Sequence, residues 1–356
     1  MIPDSVRIDV LSRAADLRVL VPEWSALYER DLRATPYSDP NLLLPFHAMF
    51  VPHVQPRVIV ARSADGALRG VLPLGVERQR VGPIFLRKLQ SLIGWHAVFP
   101  DAVVDAERAT EVLPALARAL DSLPSESLAL TRVREDAWLL DASVGFLEHI
   151  PRLQHEAGEP APRVALQPDR PLLVGPDGVE ARRTLRRLEE RGTLRIGWED
   201  AGMTGREAAA EFVAMHGRLK AYQKQTRTFA FGTATRDFPD WLVGESLAGR
   251  AGLFTVRLNG RMLGGSVILR AKAKSYSYRL AWELDFAKYG VGVLLFTHAM
   301  AECRAAGDTA FELGPGREPY KNKWRPSIHH LTTLRFTRPT WRTSTANAWL
   351  RARGPV

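Results

Sequence analysis

The sequence predicts an α/β (α+β) protein built from two similar lobes, each a mixed, mostly antiparallel sheet flanked by helices. The first observation is that β-like alternation and helical periodicity follow one another along the whole 356-residue chain. The second is a repeated hairpin pattern. Residues 57–77 and 252–272 each contain a β-rich run, an Asp-Gly or Asn-Gly turn and a second β-rich run, which is a strong local signal for two antiparallel strands.

Glycines in the two hairpins keep one spacing. Gly66 and Gly70 in the first hairpin correspond to Gly260 and Gly264 in the second at the same offset of 194 residues. A constant offset is the pattern that a duplicated unit leaves in a sequence. We therefore expect the two lobes to share one fold.

Each hairpin is followed by a further strand and then by an amphipathic helix. The sequence predicts these helices at residues 109–123 and 292–307, where apolar residues recur at helical spacing. The strand before the second helix is predicted at residues 274–286, where aromatic and polar residues alternate.

A proline-rich stretch separates the two halves. Residues 151–178 contain six prolines, which fix φ and remove backbone donors. The stretch is therefore predicted to be a linker with one edge strand at residues 163–174. The predicted domains are an N-terminal lobe at residues 1–160 and a C-terminal lobe at residues 161–356.

The overall composition is typical of a soluble globular protein, with 46% hydrophobic and 25% charged residues. Charged residues interrupt the apolar runs near the N-terminus, so we expect no membrane span and a cytoplasmic protein. Cys303 is the only cysteine, which excludes an internal disulfide. Its helical spacing among apolar residues predicts a buried core thiol. No spacing of His, Asp and Glu predicts a metal site.

Positive charge is concentrated in the second half of the chain. Residues 1–168 hold 18 Lys and Arg against 21 Asp and Glu, whereas residues 169–356 hold 31 against 18. Such a field attracts anionic partners, including nucleotide cofactors, tRNA, anionic lipid and sugar phosphates. An arginine-rich coding habit would produce the same bias, since only 8 of the 49 basic residues are lysine.

Four arginines of this half share one predicted helix face. They are Arg182, Arg183, Arg186 and Arg187, which form two pairs spaced four residues apart. The set is either a solvated surface or a contact for an anionic substrate or tRNA.

Two glycines lie where the predicted strand 274–286 meets the following helix. Gly290 and Gly292 let the backbone turn sharply and approach a ligand, and the first helical N–H groups can then hold a phosphate. A tight connection with nothing bound is the structural alternative. The third glycine of a Rossmann fingerprint is absent, so a dinucleotide site of that kind is disfavoured.

The second half resembles the GNAT acyltransferase superfamily, specifically its two-lobed FemAB-like branch and the acetyltransferase-like domain of cellulose-biosynthesis (CelD-type) proteins. The resemblance covers about residues 57–338 and is weaker in the first lobe. The motifs that carry it are "RRTLRRLEERG" (182–192), "FVAMHGRLKAY" (212–222), "SYRLAWELDFAKYGVGVLLF" (277–296) and "FELGPGREPYKNKW" (311–324). It implies two GNAT-like lobes and transfer of an acyl group to an amine.

The resemblance also implies where the donor binds. GNAT proteins hold the CoA pyrophosphate at the turn after the fourth strand, and the residues that match this turn are Lys288, Tyr289, Gly290, Val291, Gly292 and Val293. The usual pattern begins with Gln or Arg three residues before the first glycine, whereas Ala287 stands at that place here. FemAB-like enzymes take an aminoacyl group from tRNA instead, so both acyl-CoA and aminoacyl-tRNA stay open as donors.

Catalytic candidates come from the resemblance and from the residues themselves. Lys321 resembles the functional lysine of the FemAB element, and Tyr320 matches the GNAT tyrosine that protonates a leaving thiolate. Glu283 and Asp285, two apart on a predicted strand and so on one face, are candidate bases for the acceptor amine. Glu312 alternates with apolar residues on the next strand and is a further candidate. For each of them a purely structural role is the alternative.

Candidate substrate-binding residues are His216, Asp101 and Arg279. His216 resembles the Leu-His segment near the acceptor site of the family, although a packed helix histidine is the simpler interpretation. Asp101 follows a Trp-His pair in a turn of the first lobe, where the family contributes to the acceptor pocket.

The function expected from the sequence is N-acyl transfer from acyl-CoA, such as acetyl-CoA, to an amine of a small molecule or of a cell-envelope or polysaccharide precursor. One alternative is an aminoacyl-tRNA-dependent FemAB-like transferase. Another is a non-catalytic protein that binds an anionic ligand in a GNAT-shaped cleft.

Overall fold

The computed structural model describes residues 6–173, 175–225, 229 and 233–353. The chain divides into two compact units, one of residues 1–159 with 330–356 and one of residues 160–329. The predicted fold class is confirmed, because each unit is a mostly antiparallel sheet flanked by helices. No helix of the described ranges is long and apolar enough to cross a membrane.

The elements alternate along the chain as predicted. The helices are α1 (Ala14–Arg30), α2 (Pro40–Phe50), α3 (Ala109–Ser122), α4 (Gly175–Glu189), α5 (Met203–Tyr222), α6 (Ala234–Leu247), α7 (Val291–Ala305) and α8 (Trp341–Arg353). The strands are β1 (Arg7–Leu11), β2 (Gln55–Arg62), β3 (Leu68–Val81), β4 (Ile84–Ser91), β5 (Val103–Val104), β6 (Ser127–Arg134), β7 (Gln154–Ala165), β8 (Leu194–Trp198), β9 (Ala251–Leu258), β10 (Arg261–Ala271), β11 (Lys274–Trp282), β12 (Ala310–Glu312) and β13 (Ser327–Thr337). The division between the units falls within β7 and β13.

The first unit has the strand order β1-β2-β3-β4-β6-β13, with the short β5 paired to β3. The pairing of β4 with β6 is parallel, and the other pairings are antiparallel. Helix α3 packs its apolar face on this sheet, and its buried residues join one hydrophobic core.

The second unit has the strand order β7-β12-β11-β10-β9-β8. Here β11 and β12 are the parallel pair, and the other neighbours are antiparallel. Helix α7 packs on the sheet in the place that α3 has in the first unit. The core below it includes Cys303, which is 1% exposed, so the prediction of a buried thiol is confirmed. Burial raises the pKa of Cys303 to about 11.

The repeated glycines have matching roles in the two hairpins. Gly66 and Gly260 both turn the chain with left-handed φ values of 84° and 82°, which residues with a Cβ rarely adopt. Gly70 and Gly264 face the following helix so closely that an added Cβ would lie 2.4 Å from Val112 and 2.7 Å from Val291. The shared spacing therefore reflects a turn and a helix contact that both units need.

The C-terminal segment differs from the predicted domain limits. Residues 330–356 group with the first unit, whereas the sequence places them in the second lobe. Residues 331–337 of β13 pair antiparallel with β6, and the N–H of Arg338 donates to the carbonyl of Glu126. A contact between residues so far apart in the chain leaves no local signal in the sequence.

The predicted linker is more regular than expected. Residues 154–165 form β7 and residues from Gly175 onward form α4. Pro160 and Pro162 accept hydrogen bonds through their carbonyls from Gly316 and Leu313. Each proline pairs through its carbonyl, so its missing N–H does not interrupt these bonds. The edge strand predicted at residues 163–174 is not found among the described residues, because the strand here ends at Ala165.

Candidate active site

The parallel strands β11 and β12 of the second unit pair over a short length and then separate. Pairing covers Lys274–Tyr276 against Ala310–Glu312, after which β12 ends and β11 continues to Trp282. The register of β11 against β10 shifts by one residue at Tyr278, which marks a β-bulge. A bulge leaves one residue outside the regular ladder and often lies next to a functional site.

Helix α7 begins at the end of this opening. Gly290 precedes the helix with a left-handed φ of 60° and provides no side-chain cap, and no acidic residue lies in the first turn. The N–H groups of Val293 and Leu294 donate to the carbonyl of Gly290. Those of Val291 and Gly292 have no hydrogen-bond partner within the described ranges.

The space in front of these N–H groups is open. An added Cβ at Gly290 would meet nothing within 4 Å, and one at Gly292 would meet only a Leu280 methyl at 4.0 Å. Val291 is 1% exposed, so it belongs to the core, whereas Gly292 and Val293 are partly exposed at the helix start. An uncapped helix start with room before it can hold a phosphate group.

Two positive side chains lie beside the helix start. The guanidinium of Arg191 lies 5.0 Å from the ring centroid of Tyr289, and the ammonium of Lys288 lies 5.4 Å from it. Val293 is half-buried and packs against the core of the unit. These charges add to the helix dipole in favouring an anion.

Glu283 and Asp285 do not share a strand face, which corrects the sequence prediction. Strand β11 ends at Trp282, and the N–H of Phe286 donates to the carbonyl of Glu283 to begin a short helical turn at Leu284–Tyr289. The alternation of aromatic and polar residues continues past the point where the strand ends, so the pattern extended the strand too far.

The two carboxylates have different surroundings. Glu283 pairs with Arg218 at 2.6 Å and with Arg261 at 3.4 Å, whereas Asp285 is exposed. The ion pairs of Glu283 connect the end of β11 to α5 and to the start of β10. The carboxylate of Glu283 is therefore already engaged in structural ion pairs.

Lys321 is a buried clamp on the glycine-rich turn after β12. It is 3% exposed, and its ammonium donates to the carbonyls of Gly314 at 3.0 Å and Pro315 at 2.9 Å. The third partner is the carboxylate of Glu318 at 2.8 Å. These three contacts equal the three donors of a lysine ammonium, so the side chain holds the turn in place.

Glu312 and Tyr320 flank this turn. Glu312 is 1% exposed and pairs with Arg163 of β7 at 2.5 Å, so it faces neither open cleft nor water. The ring of Tyr320 packs against Phe296 and Trp324. Burial raises the pKa of the Tyr320 phenol above its usual range, so the hydroxyl stays protonated and is a weaker acid than a free tyrosine.

His216 lies on the face of α5 that packs on the sheet. It is 1% exposed, and neither ring nitrogen has a hydrogen-bond partner in the part of the chain that the structure describes. Burial, with the charges of Arg279 and Lys220, lowers the pKa of His216 to about 3. Burial also lowers the pKa of Lys220, while the charge of Glu318 opposes this shift. The predicted substrate-binding residues His216 and Arg279 are thus electrostatically coupled.

Asp101 lies in the first unit. It is 4% exposed and accepts hydrogen bonds from the N–H groups of Ala102, Trp138 and Leu139. Burial raises the pKa of Asp101 to about 7, the charge of Asp31 adds to the shift, and the backbone donors oppose it. In this unit Asp101 holds the turn that follows β6.

Several residues of the site were missed by the sequence analysis. Glu318 lies three residues from Lys321, and Lys220 lies four from His216, so helical spacing was a usable signal for both. Arg163 lies 149 residues from Glu312, and no local pattern connects them. The bulge at Tyr278 is likewise set by pairing with β10 and not by sequence alone.

A family model and several solved structures are similar to this chain. Residues 180–322 match the Acetyltransferase (GNAT) domain model. No curated protein matches the chain.

The structural matches extend over nearly the whole chain. The structure of FemX is 14% identical, covers 92% of this chain and 98% of its own, and has a TM-score of 0.64. The C-terminal domain (DUF2156) of a putative lysylphosphatidylglycerol synthetase from Agrobacterium fabrum is 15% identical, with 95% and 96% covered and a TM-score of 0.61.

A third match bears on the duplication. A tandem GNAT protein from the clavulanic acid biosynthesis pathway is 13% identical, with 94% of this chain and 100% of that chain covered and a TM-score of 0.52. At these identities the matches show the fold. Together with the family model they confirm the resemblance to the FemAB-like branch of the GNAT superfamily.

Proposed function

We propose that the protein is an N-acyltransferase, because residues 180–322 match a GNAT domain model and the fold is similar to that of FemX. It uses acyl-CoA as donor and acts in the cytoplasm on an amine of a small molecule or of a cell-envelope or polysaccharide precursor. The family model and the structural matches support a GNAT-type fold, and the donor and the acceptor are our proposal.

The observation that carries the proposal is the start of α7. The N–H groups of Val291 and Gly292 have no partner among the described residues, the glycine positions before them are open, and Lys288 and Arg191 lie nearby. A pyrophosphate fits such a site because it needs backbone donors and positive charge together. The thioester would then lie toward the opening between β11 and β12.

The reaction forms a C–N bond and breaks a C–S bond. The neutral acceptor amine attacks the thioester carbonyl, the tetrahedral oxyanion collapses, and CoA thiolate leaves. The amine loses one proton and the thiolate gains one, so the reaction needs no further reactant. Holding donor and acceptor side by side supplies much of the rate.

The chain offers groups for each step. Tyr278 lies just past the last pair of β11 with β12, at Tyr276 and Glu312, and its backbone is our candidate for donating to the oxyanion. Tyr320 is our candidate acid for the thiolate, giving up its proton as the C–S bond breaks. Lys321 acts as a positioning residue because its donors already hold the turn that carries Tyr320.

We assign binding of the acceptor to His216 and its neighbour Arg279. His216 is a neutral imidazole at physiological pH, since burial lowers its pKa to about 3, and Arg279 lies near it on β11. Because His216 is 1% exposed, we assign contact with an anionic part of the acceptor to Arg279 and give His216 the role of a positioning residue beside it. Glu283, Asp285 and Glu312 stay proposals for the proton-accepting role, and the ion pairs of Glu283 and Glu312 make Asp285 the freest of the three.

An aminoacyl-tRNA donor is the second candidate, and one observation favours it. The four arginines of α4, residues 182, 183, 186 and 187, are exposed, and none of them forms an ion pair within the described ranges. Such a stripe can follow a nucleic-acid backbone.

The donor can be tested by thermal unfolding of the full chain. We expect acetyl-CoA to raise the melting temperature, because a ligand that binds only the folded state stabilises it. A shift with aminoacyl-tRNA and none with CoA would replace acyl-CoA by the aminoacyl donor. The absence of a shift with either would favour a non-catalytic protein that binds another anion.

A further inference from the structure

Glu318 is an exposed carboxylate of the second unit that lies close to the candidate acid in the chain. It stands at the end of the glycine-rich turn after β12, directly before the short helical segment Pro319–Trp324 that carries Tyr320 and Lys321. The side chain of Glu318 is 54% exposed. It is therefore accessible to solvent and to a substrate, whereas Glu312 at the end of β12 is buried in an ion pair.

One oxygen of the Glu318 carboxylate is held and the other is free. Oε2 lies 2.8 Å from the ammonium of Lys321, and the same ammonium donates to the carbonyls of Gly314 and Pro315. Oε1 has no hydrogen-bond partner in the part of the chain that the structure describes. A carboxylate fixed through one oxygen can accept a proton on the other and keep its position.

The turn is shaped to hold this carboxylate in place. Gly316 has a left-handed φ of 120°, and a Cβ added there would collide with the carboxylate of Glu318. The backbone N–H of Lys321 donates to the backbone carbonyl of Glu318 at 3.0 Å. The backbone and the side chain of one lysine thus hold the same glutamate, so the turn determines where its carboxylate lies.

The charge of Glu318 acts on two further groups of the site. Burial raises the pKa of Tyr320, and the charge of Glu318 adds to this shift. Burial and the charge of Arg279 lower the pKa of Lys220 on α5, and the charge of Glu318 opposes them. Glu318 is therefore within electrostatic range of the proposed acid and of the cation that neighbours the proposed acceptor residue Arg279.

We propose that Glu318 is the base that accepts the proton of the acceptor amine. The proposal rests on the proposed function, because it needs an amine that attacks a thioester. As the C–N bond forms, the amine nitrogen becomes positive and one N–H bond breaks, and its proton passes to Oε1 of Glu318. When the C–S bond breaks, the thiolate takes the proton of Tyr320. The proton on Glu318 then returns to the Tyr320 phenolate through water, so both side chains end as they began.

Asp285 is also exposed, but its position suits this role less well. It belongs to the turn Leu284–Tyr289, which leads into the proposed phosphate site at the start of α7. A donor phosphate there would repel a second negative charge. Glu318 instead has the ammonium of Lys321 beside it, which stabilises the ionised carboxylate that a base requires.

The test measures transfer from acetyl-CoA to two primary amines through the CoA thiol that is released. The amines are glycylglycine, whose carboxylate can pair with Arg279, and glucosamine. Glu318→Gln keeps a side-chain oxygen for Lys321 and should lower kcat/KM about a hundredfold or more, which is the usual contribution of a general base. Its affinity for CoA should stay unchanged.

The matched control is a second exposed glutamate that pairs with a lysine of the same helical segment. Glu180 is 69% exposed and lies 3.1 Å from Lys323. Glu180→Gln therefore removes a comparable carboxylate and should leave the transfer rate nearly unchanged. Equal losses of rate in Glu180→Gln and Glu318→Gln would overturn the proposal.

Chemical rescue separates a base from a structural carboxylate. Glu318→Ala leaves room for a small anion, and added formate should restore part of the lost rate in proportion to its concentration, with no effect on the parent chain. The melting temperature of the variant checks that it folds, and Glu318→Gln decides where it does not.

The outcomes distinguish this proposal from the proposed function. A parent-like rate in Glu318→Gln, or no rescue of folded Glu318→Ala by formate, would show that Glu318 is not the base and would leave the proposed function standing. No catalysed transfer to either amine by the parent chain would overturn the proposed function, and the role of Glu318 with it.

Discussion

Helices α3 and α7 follow the same kind of hairpin in the two units, but they begin differently. Neither helix has a side-chain cap of its own. A short turn capped by Asp105 leads into α3, and Glu111 in the first turn of α3 pairs with Arg108 at 2.7 Å, whereas the first turn of α7 contains no acidic residue. The comparison teaches that the shared framework fixes where a helix starts, while a few residues decide whether that start is free for an anion.

The turns after the parallel strands β6 and β12 also differ. In the first unit the buried carboxylate of Asp101 accepts from the backbone N–H groups of Trp138 and Leu139. In the second unit the buried ammonium of Lys321 donates to the carbonyls of Gly314 and Pro315. Corresponding turns are thus held by groups of opposite charge.

The largest expected difference between the units is their response to acid. His216 has a pKa of about 3 in the folded chain and about 6.5 when unfolded. The stability that the neutral His216 gives the second unit is therefore fully present above pH 6.5. It is lost as the pH falls toward 3, which lowers the free energy of unfolding by up to about 5 kcal/mol. Hydrogen exchange of the β9–β11 amides should show this decrease in local stability as the pH is lowered. His216→Phe should flatten it, and the exposed His155→Phe should not; a slope that survives in His216→Phe would refute the assignment.

The first unit should respond to pH in the opposite direction. The pKa of Asp101 is about 7 in the folded chain and about 3.9 when unfolded. The stability that the protonated Asp101 gives the first unit is fully present below pH 3.9. It is lost as the pH rises through 7, which lowers the free energy of unfolding by up to about 4 kcal/mol. Asp101→Asn should remove this loss, as measured by hydrogen exchange of the β2–β4 amides. If the stability of both units changed with pH in the same direction, the predicted difference between them would be wrong.

Removing the lysine clamp should affect the second unit alone. Lys321→Met leaves two carbonyls and Glu318 without their buried donor, at a cost of about 3 kcal/mol or less. Since the turn positions Tyr320, kcat should fall together with kcat/KM while donor affinity changes little. A raised KM with unchanged kcat would instead assign Lys321 to binding of the donor. Wild-type turnover would make the turn irrelevant to the chemistry.

The repeated glycines should give similar, smaller effects in both units. Gly70→Ala and Gly264→Ala place a Cβ against Val112 and Val291 at 2.4 Å and 2.7 Å, and overpacking of this kind costs about 1–3 kcal/mol. Urea unfolding should show the somewhat larger loss for Gly70→Ala. Only Gly264→Ala should also weaken donor binding, because Val291 is the first residue of α7. Loss of donor binding by both variants would contradict a single donor site.

Much of the framework could be predicted from local sequence. The hairpins follow from Asp-Gly and Asn-Gly turns, the two helices from their periodicity, and the open helix start from Gly290 and Gly292. These features depend on residues close together in the chain, so their signals are local.

The rest depends on contacts between distant segments. The pairing of β13 with β6, the ion pair of Arg163 with Glu312 and those of Glu283 with Arg218 and Arg261 are formed only when the chain folds. For this reason the sequence could nominate Glu283 and Glu312 as candidate bases but could not show that each already has a partner.

The central claim is that only the start of α7 binds the donor. Gly292 and Thr110 are the second residues of α7 and α3, and both can take a glutamate, since Thr110 is exposed and Gly292 has free space and an ordinary φ. Gly292→Gln controls for size without charge. Each variant places one matched side chain at one helix start.

Calorimetric titration of CoA into the full chain measures this claim directly. The account predicts one CoA per chain, bound equally well by Thr110→Glu, bound with a modest loss by Gly292→Gln, and lost in Gly292→Glu because a carboxylate then occupies the anion site. Two CoA molecules per chain, or binding that survives Gly292→Glu but fails in Thr110→Glu, would contradict it.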